Sequence, residues 1–190
     1  MMKHLFYTTA FCVLFAGAAT ANEFESELKS LASGQIAEIA SSAEVIAAVK
    51  AQNGETGAYE QAKIDELDTT WRAEAEAVDQ PMIDAVMEKD LSVHLAGVQE
   101  GSDGLFTEIF VMDAKGLNVG QSEVTSDYWQ GDEAKWQETY SVGKGAVHIS
   151  ELEEDDSTQT LQSQVSVPVV DPASGETIGA VTFGVNVENL

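Results

Sequence analysis

The stretch Ser122–Trp136 gathers Tyr128, Trp129 and Trp136 with the acids Glu123, Asp127, Asp132 and Glu133. On both sides lie segments that read as β-strands. An aromatic segment rich in hydrogen-bonding groups that interrupts a sheet is where a small-ligand pocket would be built. The competing reading makes Trp129 and Trp136 core anchors of a crossing segment, since aromatics mostly serve as packing mass. Both readings stay open on the residues alone.

Other chemistry finds little support. Beyond the first residues the histidines are His94, expected on a helix, and His148, expected beside a strand; neither has an acid and a nucleophile patterned around it. There is no GxSxG, no HExxH and no phosphate-cradling glycine loop. Carboxylates are so abundant that no pair stands out as a glycosidase-type acid and base. The run Glu151, Glu153, Glu154, Asp155, Asp156 offers oxygens that Ca²⁺ would accept, but it lacks EF-hand spacing and a glycine turn to fold around an ion. A solvated loop is the favoured reading, with Asp155 or Asp156 able to reach a pocket and meet an ammonium group. No enzyme, cofactor or metal centre is expected.

The elements that must position these residues change character midway. Across Glu23–Lys50 the apolar residues Phe24, Leu28, Leu31, Ile36, Ile39, Ala43 and Ile46 recur at helical steps, interrupted only by Gly34. At 1.5 Å per residue this helix would approach ~40 Å. The glycines and polar residues of Gln52–Gly57 are expected to break it. Ile64, Leu67, Trp71, Ala75 and Val78 mark a second helix over Ala58–Val78. Asp79-Gln80-Pro81 opens a third over Met82–Val98, in two pieces with Ser92 capping the second.

The period then falls to two. In Phe106–Asp113, Ile109 and Val111 point one way while Glu108, Phe110 and Met112 point the other. Asp113-Ala114-Lys115-Gly116 turns into Leu117–Ser122, a β-hairpin. A short helix over Asp132–Tyr140 places Trp136 and Tyr140 on one face. Val147–Ile149, Gln164–Asp171 and Thr177–Val187 complete the sheet. In the last strand Val181, Phe183, Val185 and Val187 form a bulky face suited to the long helix. Ala180, Thr182, Gly184 and Asn186 form a small, polar one that leaves room for a ligand or for a covering loop.

Composition bounds where the chain works. Lys3 and His4, the apolar run Leu5–Gly17 and Ala19-Thr20-Ala21 read as a cleaved secretory signal over 1–21; the run is shorter than the ~20 residues of a membrane span. Cys12, the single cysteine, lies inside that run, which argues against a lipoprotein and leaves 22–190 without a thiol. About 170 residues suit one domain, helical over 22–100 and sheet over 105–190. Against 9 Lys+Arg stand 33 Asp+Glu, a net charge of −24. Such a polyanion is repelled by nucleic acid and anionic lipid. The acids are spread along the chain, which favours a solvated surface over a cation store.

The arrangement resembles the extracytoplasmic Cache (PDC) sensor domains, an α+β fold with a long N-terminal helix and helical lead-in on a PAS-like five-stranded antiparallel sheet. The resemblance is carried by Ile64-Asp65-Glu66-Leu67-Asp68 with Trp71, by Phe110–Gly116, by Thr125–Glu133, and by Val167-Pro168-Val169 followed by Gly175 and Ile178–Val181. It implies a periplasmic or secreted sensor that binds a small polar metabolite between the sheet and the crossing segment. The matching positions are Asp127, Tyr128, Trp129 and Trp136, with Asp155 opposite and Thr182 from the central strand. Amino-acid-binding members place an arginine on that segment. Here there is only Lys135, and Arg72 is the sole arginine; this tilts the expectation towards an amine, a quaternary ammonium or a neutral molecule. Family members continue into a transmembrane helix and an output domain where this chain stops at Leu190. The resemblance therefore implies a free-standing module that reports to, or scavenges for, a separate membrane receptor or kinase; a homodimer through the N-terminal helix is a further expectation. The alternatives are an interaction domain with a degenerate pocket and an acidic cation-binding protein.

Overall fold

A computed structural model describes residues 22–154 and 160–190. The leader expected at 1–21 and the acids Asp155 and Asp156 lie outside the described residues. The helical half comprises α1 (Glu25–Leu31), a π-turn (Ala32–Ile36), α2 (Ala37–Ala40), α3 (Ala43–Thr56), α4 (Gln61–Ala75), α5 (Pro81–Met87) and α6 (Asp90–Glu100). The rest comprises β1 (Phe106–Met112), β2 (Asn118–Gln121), the short α7 (Ala134–Gln137), β3 (His148–Ile149), β4 (Glu153–Glu154), β5 (Leu161–Val170) and β6 (Thr177–Asn186). The sheet order is β2-β1-β6-β5-β3, with β4 also on β5, and every pair is antiparallel. The expected five-stranded α+β sheet is present; a sixth strand arises because β3 and β4 share the outer edge of β5.

The N-terminal helical stretch is longer and less straight than the apolar spacing predicts. At Gly34 the backbone leaves helical values (φ −103, ψ −106) inside the π-turn. A second break falls at Ser41–Ser42, where the Ser42 hydroxyl accepts from the Val45 N–H at 3.3 Å and caps α3. The break expected at Gln52–Gly57 is instead the end of α3. The polar residues there are tied into the sheet. Gln52 Nε2 donates to Asp113 Oδ2 and to the Asn118 carbonyl, both at 3.1 Å, and Thr56 Oγ1 donates to Asp113 Oδ2 at 2.7 Å. Asn53 donates to the Ile178 carbonyl and accepts from the Ala114 N–H. Tertiary hydrogen bonds outweigh local propensity. Ser92, expected as a cap, is buried within α6. It donates to the Val86 carbonyl (2.7 Å) and accepts from the Gln121 N–H (3.0 Å), joining α5 to β2.

The period-two alternation decides the packing. Val165, Val167 and Val169 of β5 and Val181, Phe183 and Val185 of β6 face Leu28, Ile36, Val45 and Val49 in the main core. Each fully buried side chain of this size contributes about 1.5–3 kcal/mol. A second core joins Ile64 and Trp71 of α4 to Ile83, Val86, Leu117 and Tyr128. A third, smaller one lies on the other side of the sheet, where Phe110, Met112 and Ala180 carry Trp136 and Tyr140. Among the described residues no helix is long and apolar enough to cross a membrane.

Candidate functional site

The sparse face of the sheet is lined from β1 by Glu108 and Phe110, from β5 by Gln164 and Ser166, and from β6 by Thr182 and Gly184. Gly184 is small because its neighbours lean over it: a Cβ there would run into the side chains of Thr107 and Glu108. Thr182 is fully buried, its hydroxyl paired with that of Ser166 at 2.8 Å. Gln164 Nε2 donates to Glu108 Oε1 at 2.8 Å.

The crossing segment is pinned over this face from three sides. The hairpin holds it by backbone bonds, Asn118 N–H to the Tyr128 carbonyl (3.0 Å) and Gln130 N–H to the Gly116 carbonyl (2.7 Å). Gly116 (φ +82) must be glycine here, since a Cβ would lie 2.5 Å from Gly131 Cα. Helix α4 holds it through Asp68, whose Oδ1 accepts from the N–H groups of Tyr128 (2.9 Å) and Trp129 (3.0 Å). The same helix sends Trp71 Nε1 to the Thr125 carbonyl (2.8 Å) and Arg72 to both Asp68 (2.7 Å) and Asp127 (3.0 Å). From below, Trp136 Nε1 donates to the Asp113 carbonyl (3.1 Å) and its ring stacks on Tyr140 with centroids 4.7 Å apart.

Between this roof and the sheet remains a cleft of about 200 Å³. Its floor is Glu108, Phe110 and Gln164; one wall is Thr125, Ser126 and Asp127; the other is Gln130, Glu133 and Lys135. Asp127 is shared there, one oxygen with Arg72 and the other with Gln130 Nε2. The Lys135 ammonium lies 2.9 Å from Glu133 Oε2, 3.3 Å from Gln130 Oε1 and 5.3 Å from the centre of the Phe110 ring. A larger cavity of about 310 Å³ lies on the helical side, between Ala32–Ser41 and Val167–Val170. Its two serines, Ser33 and Ser41, turn their hydroxyls back onto their own helix. It therefore offers little to orient a polar molecule.

Of the positions named from the sequence, Asp127 lines the cleft. Tyr128 lies in the second core, its ring 5.3 Å from that of Trp71; burial, with Asp113 adding, pushes its phenol pKa well up. Trp129 packs against the same core and donates to the Lys115 carbonyl at 2.8 Å. Trp136 packs on the third core, and Thr182 is buried in β6 against Ser166 without lining the cleft. Asp155 lies outside the described residues. The structure adds Glu108, Phe110, Gln130, Glu133, Lys135 and Gln164. Glu108 and Phe110 carry a sequence signal, since alternation puts them opposite Ile109 and Val111.

No family model matches the chain, and no curated protein matches it in sequence. Solved structures do. Sensor domains are among those it resembles. One is the ligand-binding domain of a Campylobacter jejuni chemoreceptor in complex with 4-methylisoleucine, at 9% identity and a TM-score of 0.41, over 87% of this chain and 61% of that one. Another is the sensor domain of a V. cholerae histidine kinase, at 14% identity and a TM-score of 0.39, over 88% and 56%. A third is the ligand-binding domain of a Pseudomonas aeruginosa amino acid chemoreceptor in complex with GABA, at 13% identity and a TM-score of 0.38, over 63% and 59%. In each case the chain spans less than two thirds of the solved protein. Likeness at this level carries neither a ligand nor a mechanism.

Proposed function

We propose that residues 22–190 form a sensor-type, non-enzymatic module working outside the cytoplasm, with 1–21 as its secretory leader, and that it binds a small polar metabolite in the cleft beneath the crossing segment. The observation that carries this reading is the cleft itself. A roof tied down at Asp68, Gly116 and Asp113 still leaves about 200 Å³ lined by carboxylates, amides and one aromatic ring. Concave sites where a few polar groups converge are where small polar molecules are oriented. A separate membrane receptor or kinase would read the bound state.

A panel of amino acids, amines and neutral polyols tests the proposal by thermal shift. One class should raise Tm in a concentration-dependent way, and Asp127→Asn should weaken that response about tenfold while the far-UV circular dichroism stays unchanged. A panel without any response favours a second reading, an interaction domain that dimerises through its N-terminal helices. That reading draws on the aromatics of the crossing segment, since Tyr128, Trp129 and Trp136 are all engaged in packing. Sedimentation at several concentrations would then report the dimer.

A further inference from the structure

Building on the cleft as the ligand site, we propose that Lys135 is a tethered stand-in for the ligand, and that the ligand is a small alkylammonium ion that exchanges with it. The side chain of Lys135 is 14% exposed, and its ammonium reaches inward to three kinds of partner. These are a carboxylate (Glu133), an amide oxygen (Gln130) and the face of an aromatic ring (Phe110). This is the set of contacts that a free alkylammonium needs, and Phe110 is 1% exposed, so its ring face is desolvated where cation–π attraction is strongest.

Charge around the cleft gives the same sign. Among the described residues that line it, Glu108, Asp127 and Glu133 are acidic and Lys135 is basic, while Arg72 reaches Asp127 from the α4 side. An anion entering would have to draw Lys135 away from Glu133 among three carboxylates; a cation only changes places with it. The exchange needs no backbone movement, because a lysine head on a flexible four-carbon stem can swing out to water while α7 stays in place. Lys135 is then an internal competitor that sets the concentration at which the cleft fills.

The test is chemical rescue. Purified wild-type chain and Lys135→Ala are titrated with propylammonium chloride, with sodium propionate and with sodium chloride at matched ionic strength, and Tm is followed. Propylammonium should raise the Tm of Lys135→Ala with a midpoint about tenfold lower than in wild type, the change expected when a tethered competitor at a cation–π site is removed. Propionate should raise neither, and Glu133→Gln placed on Lys135→Ala should remove the gain. Lys135→Ser carries the same expectation should the alanine variant lose its far-UV signal. Equal responses of variant and wild type to propylammonium overturn the stand-in role. A neutral or anionic metabolite that stabilises wild type, with the effect lost in Asp127→Asn, also overturns it but leaves the cleft as a ligand site. No response to any metabolite or ammonium ion overturns both.

Discussion

Tyr128 shows how one side chain's surroundings set its role. Its ring stacks on Trp71 in the second core, and burial holds its phenol in the neutral form. The unfolded chain ionises a tyrosine near pH 10. With the folded pKa raised, the stabilisation it represents is intact below about pH 10 and is lost as pH climbs towards the folded value. Wild type should therefore lose Tm steeply as pH passes about 10. Tyr128→Phe keeps the stack and should lose it less steeply, with stability at pH 7 within about 1 kcal/mol of wild type. Differential scanning fluorimetry at stepped pH measures both. Equal slopes for the two proteins would place the alkaline sensitivity elsewhere.

At the scale of elements, the crossing segment owes its position to α4 as much as to the hairpin. Asp68 alone satisfies two consecutive backbone N–H groups, those of Tyr128 and Trp129. Asp68→Ala leaves both without their acceptor and releases Arg72, which should cost about 2 kcal/mol. Amide hydrogen exchange should speed up at Tyr128 and Trp129 while β6 stays protected; uniform acceleration would mean that α4 and the sheet unfold as one unit. The same elements show what a sequence makes legible. The alternation of Val181, Phe183 and Val185 marks the side of β6 that meets the helices, and the four-residue step from Trp136 to Tyr140 marks their stack. Gln52 and Thr56 were opaque: their helix persists because of a carboxylate at Asp113, distant in sequence, and local propensity contains no trace of it. Likewise the aromatics of the crossing segment stand out in the sequence, but only the fold shows that Trp71 takes Tyr128 into a core while Phe110 holds Lys135 in the cleft.

For the molecule as a whole, charge is the dominant global term. A net charge of −24 repels itself within one compact body. The helix pairs Lys29–Glu25 and Lys63–Glu66 are surface contacts of small worth. Raising NaCl from about 0.02 to about 0.5 M shortens the screening length several-fold and should raise Tm by a few degrees; a flat or falling Tm would show that the pairs outweigh the repulsion. Composition made that term legible, but not the way the two sides of the sheet are joined. Asp113, wholly buried, gives one carboxylate oxygen to Gln52 and Thr56 of α3 and the other to the N–H groups of Lys115 and Leu117, while its carbonyl accepts from Trp136. Helix, hairpin and roof thus share a single pivot. Loosening that one side chain would therefore slacken α3, the hairpin and the roof together, although they stand on different sides of the sheet.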